Sequence, residues 1–208
     1  MGSKYIVIDG LDGAGKSSVM EKLDNVFPPA LKLGGYAYIR EPGGTTLGER
    51  LRDIIIEGGM DPFTEFCLFC AQRREVKQLV SGLLARGRHV ISDRSDSATF
   101  AYQVRGRQMP ELEEIFWKMR ELLVPHPSLY IFLDVSAEVA KARMVSNMAK
   151  KQDRFEREGE VFHNRVREAF REFSIRIEIP CRFVNAENSP EVVAQEVVSI
   201  VREHLSSS

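Results

Sequence analysis

A chain of 208 residues in which 29 Lys and Arg stand against 30 Asp and Glu has the length of one α/β domain and lacks the basic excess of a general nucleic-acid binder. Its 43% hydrophobic content is that of an ordinary globular protein with enough chain to bury a sizeable core. No run approaches the roughly 18–20 apolar residues of a membrane span, no signal peptide is visible before the first strand-like segment, and the three cysteines form no disulfide framework, so a reducing, cytoplasmic setting is expected.

In chain order, Tyr5-Ile6-Val7-Ile8 reads as a first strand ending at Asp9-Gly10. A helix is expected after Gly15, with Val19, Met20, Leu23, Val26 and Phe27 on one face. Tyr36 to Glu41 reads as a second strand, broken by Pro42-Gly43-Gly44, and Leu47 to Glu57 as a helix. A long helix should run from Pro62 to Arg86, closed by Gly87. Cys67 and Cys70 fall inside it and read as part of a helix face, since no second pair completes a zinc site. His89 to Asp93 is a third strand, Ser97 to Gln103 a short helix, Glu111 to Val124 another, and Leu129 to Asp134 a fourth strand. Ser136 can cap a helix from Ala137 to about Met148. A charged stretch, Lys150 to Glu160, leads into a helix to about Ile177. Cys181 to Asn185 is a fifth strand, and Ser189-Pro190 opens a last helix carrying Val193, Val197, Val201 and Leu205, with the final serines as a frayed end. Five apolar strands interleaved with helices imply a five-stranded parallel sheet covered on both faces, in one domain without repeat or linker. Ligands of such sheets sit beyond the carboxyl ends of the strands.

Gly10-Leu11-Asp12-Gly13-Ala14-Gly15-Lys16-Ser17 satisfies the phosphate-binding pattern G-x-x-x-x-G-K-[ST] between a predicted strand and a predicted helix. Gly10, Gly13 and Gly15 let successive backbone N–H groups converge on phosphate oxygens, Lys16 places a charge over the β/γ-phosphates, and Ser17 can ligate Mg²⁺. Ser18 follows in the first helical turn, where the helix dipole favours an anion. The loop predicts nucleotide binding but does not separate a kinase from an ATPase or a GTPase, although the N-K-x-D guanine signature is absent.

Three further segments narrow the choice: Arg40-Glu41-Pro42-Gly43-Gly44-Thr45 with Arg50 and Arg52; Asp93-Arg94 running to Ala101-Tyr102-Gln103; and Asp153-Arg154-Phe155-Glu156 followed by Phe162 and Arg165. In the long helix, Phe66, Phe69, Cys70, Val76 and Val80 define an apolar face, and Arg73 sits inside it. A buried arginine needs an acceptor, which an internal salt bridge, a snorkelling path to water or a ligand would each supply. Asp134 also ends a strand and competes with Asp93 for a metal role, but its place before Ser136 and the next helix suits a structural one. Thr99, Tyr102 and Gln103 share one face of a short helix by their spacing.

Together with the P-loop, these segments make the chain resemble the bacterial type of thymidylate kinase from Lys4 to about Ala186. That resemblance implies a P-loop fold with a mobile lid (residues 149–160), ATP-dependent phosphorylation of dTMP, Mg²⁺ at Ser17 and Asp93, and a homodimer with no membrane or nucleic-acid partner. It implies that Phe69 stacks on the pyrimidine, that Arg73 donates to its O4, and that Thr99, Tyr102 and Gln103 line the acceptor nucleoside beside Glu41 and Arg52. It places Asp12 at the sugar 3′-OH, Asp93 near the Mg²⁺-bound phosphates, Arg94 between donor and acceptor phosphates, and Arg143 on adenine. Gly13 stands where one subgroup carries a catalytic arginine; members with glycine there draw cations from the lid, which points to Arg154 and to Lys150 or Lys151. Ser95 replaces the usual Tyr or His after Asp-Arg, and Val104-Arg105 replaces a glycine-rich stretch. These departures border the acceptor pocket and keep a kinase for dUMP or a modified pyrimidine deoxynucleotide in view, beside an ATPase without acceptor and a module that binds nucleotide without catalysis. An acceptor phosphate is already an anionic nucleophile, so the demand is for positioning and charge neutralisation rather than a strong base.

Overall fold

The computed structural model describes residues 2–30, 34–146 and 154–207. Strands β1 (Tyr5–Gly10), β2 (Tyr36–Arg40), β3 (His89–Asp93), β4 (Leu129–Asp134) and β5 (Cys181–Asn185) form one sheet in the order β2-β3-β1-β4-β5, every pair parallel. β1 is buried along its whole length. It sits at the centre with helices over both faces, which is why it reads as an unbroken apolar run rather than an alternation. Ile8 pairs with Asp93, and Gly10 with Leu133. The carboxyl ends of β1, β3 and β4 therefore finish level with one another. The order reverses at β1, and a crevice opens there.

The helices α1 (Lys16–Val26), α2 (Thr46–Glu57), α3 (Pro62–Ala85), α5 (Leu112–Leu122), α6 (Ala137–Ser146), α7 (Glu160–Arg176) and α8 (Pro190–Ser206) lie within a residue or two of their expected bounds, except where the expected end of α6 falls outside the described residues. Their starts are written locally. Asp61 caps α3 by accepting from the N–H groups of Phe63 and Thr64, Ser189 caps α8, and Ser136 Oγ accepts from Val139 N–H at 3.4 Å.

One expectation is altered. The short helix begins at Asp96 as α4 (Asp96–Thr99) and widens into a π-helical segment over Phe100–Gly106. Inserted π turns of this kind gather at functional sites. α7 packs along this segment, and Phe100, Phe116, Trp117 and Phe173 fill the space behind it, with Trp117 and Phe173 stacked 5.9 Å apart. Burial of each such ring contributes about 1.5–3 kcal/mol.

Candidate active site

The loop from Gly10 to Ser17 joins β1 to α1 and rims a cavity of about 600 Å³, to which Gly13, Gly15, Lys16, Ser17 and Ser18 contribute. Gly13 has φ +82°, and a Cβ there would lie 2.3 Å from the Ala140 carbonyl oxygen on α6. A side chain at this position has neither backbone conformation nor room, so the loop cannot carry its own arginine. Lys16 is buried and donates to the carbonyls of Gly10 (3.1 Å) and Leu11 (2.8 Å). Burial, with Arg94 nearby, lowers its pKa against the pull of Asp12, Asp93 and Asp9.

Beside the loop stands Arg94, a non-glycine residue at φ 70°. That conformation costs about 1 kcal/mol or more and persists only where the surroundings enforce it. Here the Arg94 N–H donates to Ile8 O at 2.9 Å, and its carbonyl accepts from Ser92 Oγ at 2.7 Å. The result aims the guanidinium at the loop. Nη1 donates to Asp9 Oδ1 (2.8 Å) and Gly10 O (2.9 Å), and Nη2 to Asp12 Oδ1 (2.5 Å). Tyr102 donates its hydroxyl to Asp12 Oδ2 at 3.0 Å. Burial opposes ionisation of Asp12, but Arg94 and Lys16, with the Tyr102 hydroxyl, outweigh it and hold the carboxyl well below the usual range. Asp9 is wholly buried, and that burial raises its pKa in spite of Arg94 and Ser97. Sequence reading passed over Asp9; a carboxylate near the carboxyl end of an otherwise apolar central strand was the available signal.

Asp93 also lines the cavity, and its Oδ1 is buried without a hydrogen-bond partner. A buried carboxylate oxygen left unpaired is costly unless it serves a ligand. With the Ser17 side chain on the same cavity, the pair suits a hard cation such as Mg²⁺, which is held by one or two protein oxygens and otherwise by phosphates and water. Among the described residues no cluster of three or more His, Cys, Asp or Glu offers another metal site. Asp134, the competing carboxylate, is spoken for by Arg167 (2.6 Å) and Arg171 (2.6 Å) and takes the structural role.

On one side of the cradle, Phe69, Tyr102, Gln103, Glu41 and Arg52 line the cavity. Arg52 is fixed there by donating to Pro42 O at 2.9 Å. Phe155 closes over this end, edge-on to Phe69 (6.1 Å) and Tyr102 (6.0 Å). Arg73 and Thr99 stand behind that surface, outside the lining. Arg73 is 2% exposed and donates to Glu41 Oε2 (2.6 Å), Thr99 Oγ1 (2.9 Å) and Ser95 O (2.9 Å). Of the acceptors the sequence left open for Arg73, an internal salt bridge, to Glu41, is present. Thr99 ends the α-helical turn before the π-helical widening, so it turns to Arg73 while Tyr102 and Gln103 face the cavity. The small Ser95 leaves space for a buried Lys77, whose Nζ lies 3.3 Å from Tyr5 Oη and 3.4 Å from Ser95 Oγ.

On the other side, Arg143, Ala186, Asn188 and Val193 line the cavity. Arg143 Nη1 donates to Ala186 O at 2.6 Å, which braces the guanidinium as a wall. Lys150, Lys151 and Asp153 lie outside the described residues. Arg154 departs from its expected place among the phosphates. Its Nε donates to Ile55 O (2.7 Å) and its Nη1 to Glu65 Oε2 (2.5 Å), and it does not line the cavity. The physical reason is Glu65, a carboxylate 1% exposed that draws the nearest guanidinium. Glu65 was missed from sequence, although it lies on the same α3 face as Phe69 and Arg73 by i, i+4, i+8 spacing.

The sequence model of the thymidylate kinase family matches residues 8–197. The chain belongs to the thymidylate kinase family. Among curated relatives, it is 36% identical to the thymidylate kinase of Methylobacillus flagellatus over 209 residues, covering 98% of each chain. It is 35% identical to that of Cupriavidus taiwanensis, covering 97% of this chain and 98% of the relative. The thymidylate kinase of Limosilactobacillus reuteri is 30% identical over 217 residues, 99% of each chain. The P-loop, Asp93-Arg94 and most of the Arg154-Phe155-Glu156 environment thus sit within a match that spans nearly the full length. No helix among the described residues is long and apolar enough to cross a membrane.

Proposed function

We propose that the protein transfers the γ-phosphoryl group of ATP to dTMP, forming dTDP for deoxynucleotide synthesis. The observation that carries this reading is the single cavity that runs from Phe69 and Gln103, past the cradle, to Arg143 and Asn188. It extends on both sides of the phosphate loop, as two nucleotides meeting at their phosphates require. An ATPase has use for the Arg143 half alone.

Catalysis in this site is positioning and charge neutralisation. Lys16 exchanges two backbone carbonyls for phosphate oxygens. Arg94 sits between the loop and Tyr102, where it can bridge the two phosphoryl groups. Arg52 holds the acceptor side. Asp12 and Tyr102, already joined, present a fixed polar edge to the acceptor sugar. Ser17 and Asp93 are the residues that would hold Mg²⁺, which supplies further neutralisation of the phosphates when bound. Arg143 is the wall for the donor base, and Phe69 with Phe155 the walls for the acceptor base. Arg154 supports the acceptor side through Glu65 in this arrangement.

The whole chain is read as one nucleoside monophosphate kinase domain acting in the cytoplasm. The family resemblance supports a homodimer as part of this reading, with Leu47, Ile54 and Phe63 of α2 and α3 exposed as candidate contacts; a monomer mass by light scattering at micromolar concentration would remove it. ADP release with ATP, Mg²⁺ and a panel of nucleoside monophosphates tests the reading as a whole. dTMP should give the highest kcat/KM, dUMP a lower value, and dCMP one at least about a hundredfold below dTMP. Equal values for dTMP and dCMP would overturn the assignment.

A further inference from the structure

Arg94 is shared by two carboxylates that differ in their access to the cavity. Asp9 is 0% exposed and stands behind the cavity surface, whereas the Asp12 side chain is 21% exposed and lines it. Asp9 is held from three directions. Its Oδ1 accepts from Gly10 N–H (2.9 Å) and Arg94 Nη1 (2.8 Å), and its Oδ2 from Ser97 Oγ at the start of α4 (2.6 Å). Nη1 also donates to Gly10 O at 2.9 Å, so both of its N–H bonds are spent at the end of β1. Nη2 faces the other way, to Asp12 Oδ1 (2.5 Å) and Tyr102 Oη (3.3 Å). A phosphate entering the cavity therefore competes with Asp12 for Nη2. To take Nη1 as well it would have to strip a wholly buried carboxylate of its cation, which is costly.

We propose that Asp9 is a positioning residue for the transfer step: it keeps Arg94 Nη1 throughout, so that Asp12 alone gives way and the Nη2 side turns to the phosphoryl groups about a fixed edge. The proposal rests on the phosphoryl-transfer reading of the cavity. Asp9 touches no substrate and acts through Arg94. A guanidinium fixed in this way before the substrates arrive needs little reorganisation when charge develops between them. Ser97 adds the second hold on Asp9 and ties its orientation to α4.

The test is Asp9→Asn, which keeps the shape and removes the charge. The Asn carbonyl can still accept from Nη1, but the charge-assisted bond is lost and Arg94 is drawn to Asp12. kcat per active site, with sites counted by calorimetric titration with a non-hydrolysable ATP analogue, should fall at least about thirtyfold. KM for ATP and for dTMP should not rise, because removing a negative charge from beneath the cradle favours anionic substrates. A residue that only supports the fold would loosen the site and raise KM. In an Arg94→Lys background, where one ammonium cannot hold Asp9 and reach a phosphate together, Asp9→Asn should cost no more than about threefold further. Ser97→Ala decides the matter if circular dichroism shows that Asp9→Asn does not fold. It leaves the charge in place but lets Oδ2 turn onto Arg94 and draw Nη2 from the phosphates, so kcat should fall about fivefold or more with KM unmoved. An unchanged kcat per site in the variant that folds, or a fall in kcat accompanied by a rise in KM, overturns the Asp9 assignment alone when the unmutated protein phosphorylates dTMP. Absence of dTMP-dependent ADP release in the unmutated protein overturns the kinase reading and this inference with it.

Discussion

Gly13→Ala is the smallest change that challenges the phosphate cradle. Two costs add. At φ +82° an L-residue is strained by about 1–2 kcal/mol. The new Cβ would lie 2.3 Å from the Ala140 carbonyl oxygen, well inside the 3.0 Å below which Cβ atoms are essentially never found. Since the obstacle is backbone, relief means moving the loop or α6 by a good fraction of an ångström. A displacement near 1 Å at a phosphate site costs on the order of 100-fold in rate. The expected outcome is a kcat/KM for ATP reduced about 100-fold in a coupled ADP assay. Melting should fall by at least about 2–8 °C from the backbone strain alone, since each kcal/mol shifts a domain of this size by roughly 2–4 °C. A variant within threefold of the unmutated kcat/KM would refute the claim that left-handed backbone and contact with α6 shape the cradle.

Arg154→Ala separates two roles. Where Arg154 lies against Glu65, its loss should raise KM for dTMP more than it lowers kcat; a fall in kcat of ~10³-fold with KM unmoved would show that Arg154 reaches the transferring phosphoryl group instead. Asp96→Asn removes the carboxylate that faces Arg120 at 2.8 Å and the buried Lys77, and leaving such cations uncompensated costs about 3–5 kcal/mol, or roughly 6–20 °C in Tm by calorimetry. Burial opposes ionisation of Asp96, but Lys77, Arg120 and Arg73 outweigh it and hold its pKa below the ordinary value of 3.8. A depressed folded pKa gives stability that is present above the unfolded pKa and is lost as pH falls through the folded one. The Tm gap between Asp96→Asn and the unmutated protein should therefore close on acidification below about pH 4; a gap independent of pH would contradict the charge argument.

The fold was legible because its signals are local. Apolar runs of five or six residues, glycine and proline stops, and Asp61-Pro62 or Ser189-Pro190 starts mark each element within a short window. The phosphate loop is equally local. Residues of the acceptor pocket were legible in part, since Phe69 and Arg73 lie on one stripe of a single helix. Their partners were not. Glu41 meets Arg73 across 32 residues, Gln103 meets Glu65 across 38, and Arg154 meets Glu65 across 89. Helical spacing alone put Thr99 with Tyr102 and Gln103, and the π-helical widening after Thr99 parted them. A charged residue on an apolar stripe announces that it needs a partner; which partner it finds is settled by packing. The same warning that singled out Arg73 applied to Glu65, Lys77 and Asp9.

The central claim is phosphoryl transfer between two nucleotides rather than to water. The most direct measurement follows the label from γ-³²P-ATP in the presence of dTMP and Mg²⁺, with Lys16→Ala as control. The account predicts label in dTDP, little label in inorganic phosphate, and loss of at least nine-tenths of the transfer in Lys16→Ala, since a smaller loss would leave the lysine under ~1.4 kcal/mol of transition-state stabilisation. Label released as inorganic phosphate at the same rate with and without dTMP would contradict it.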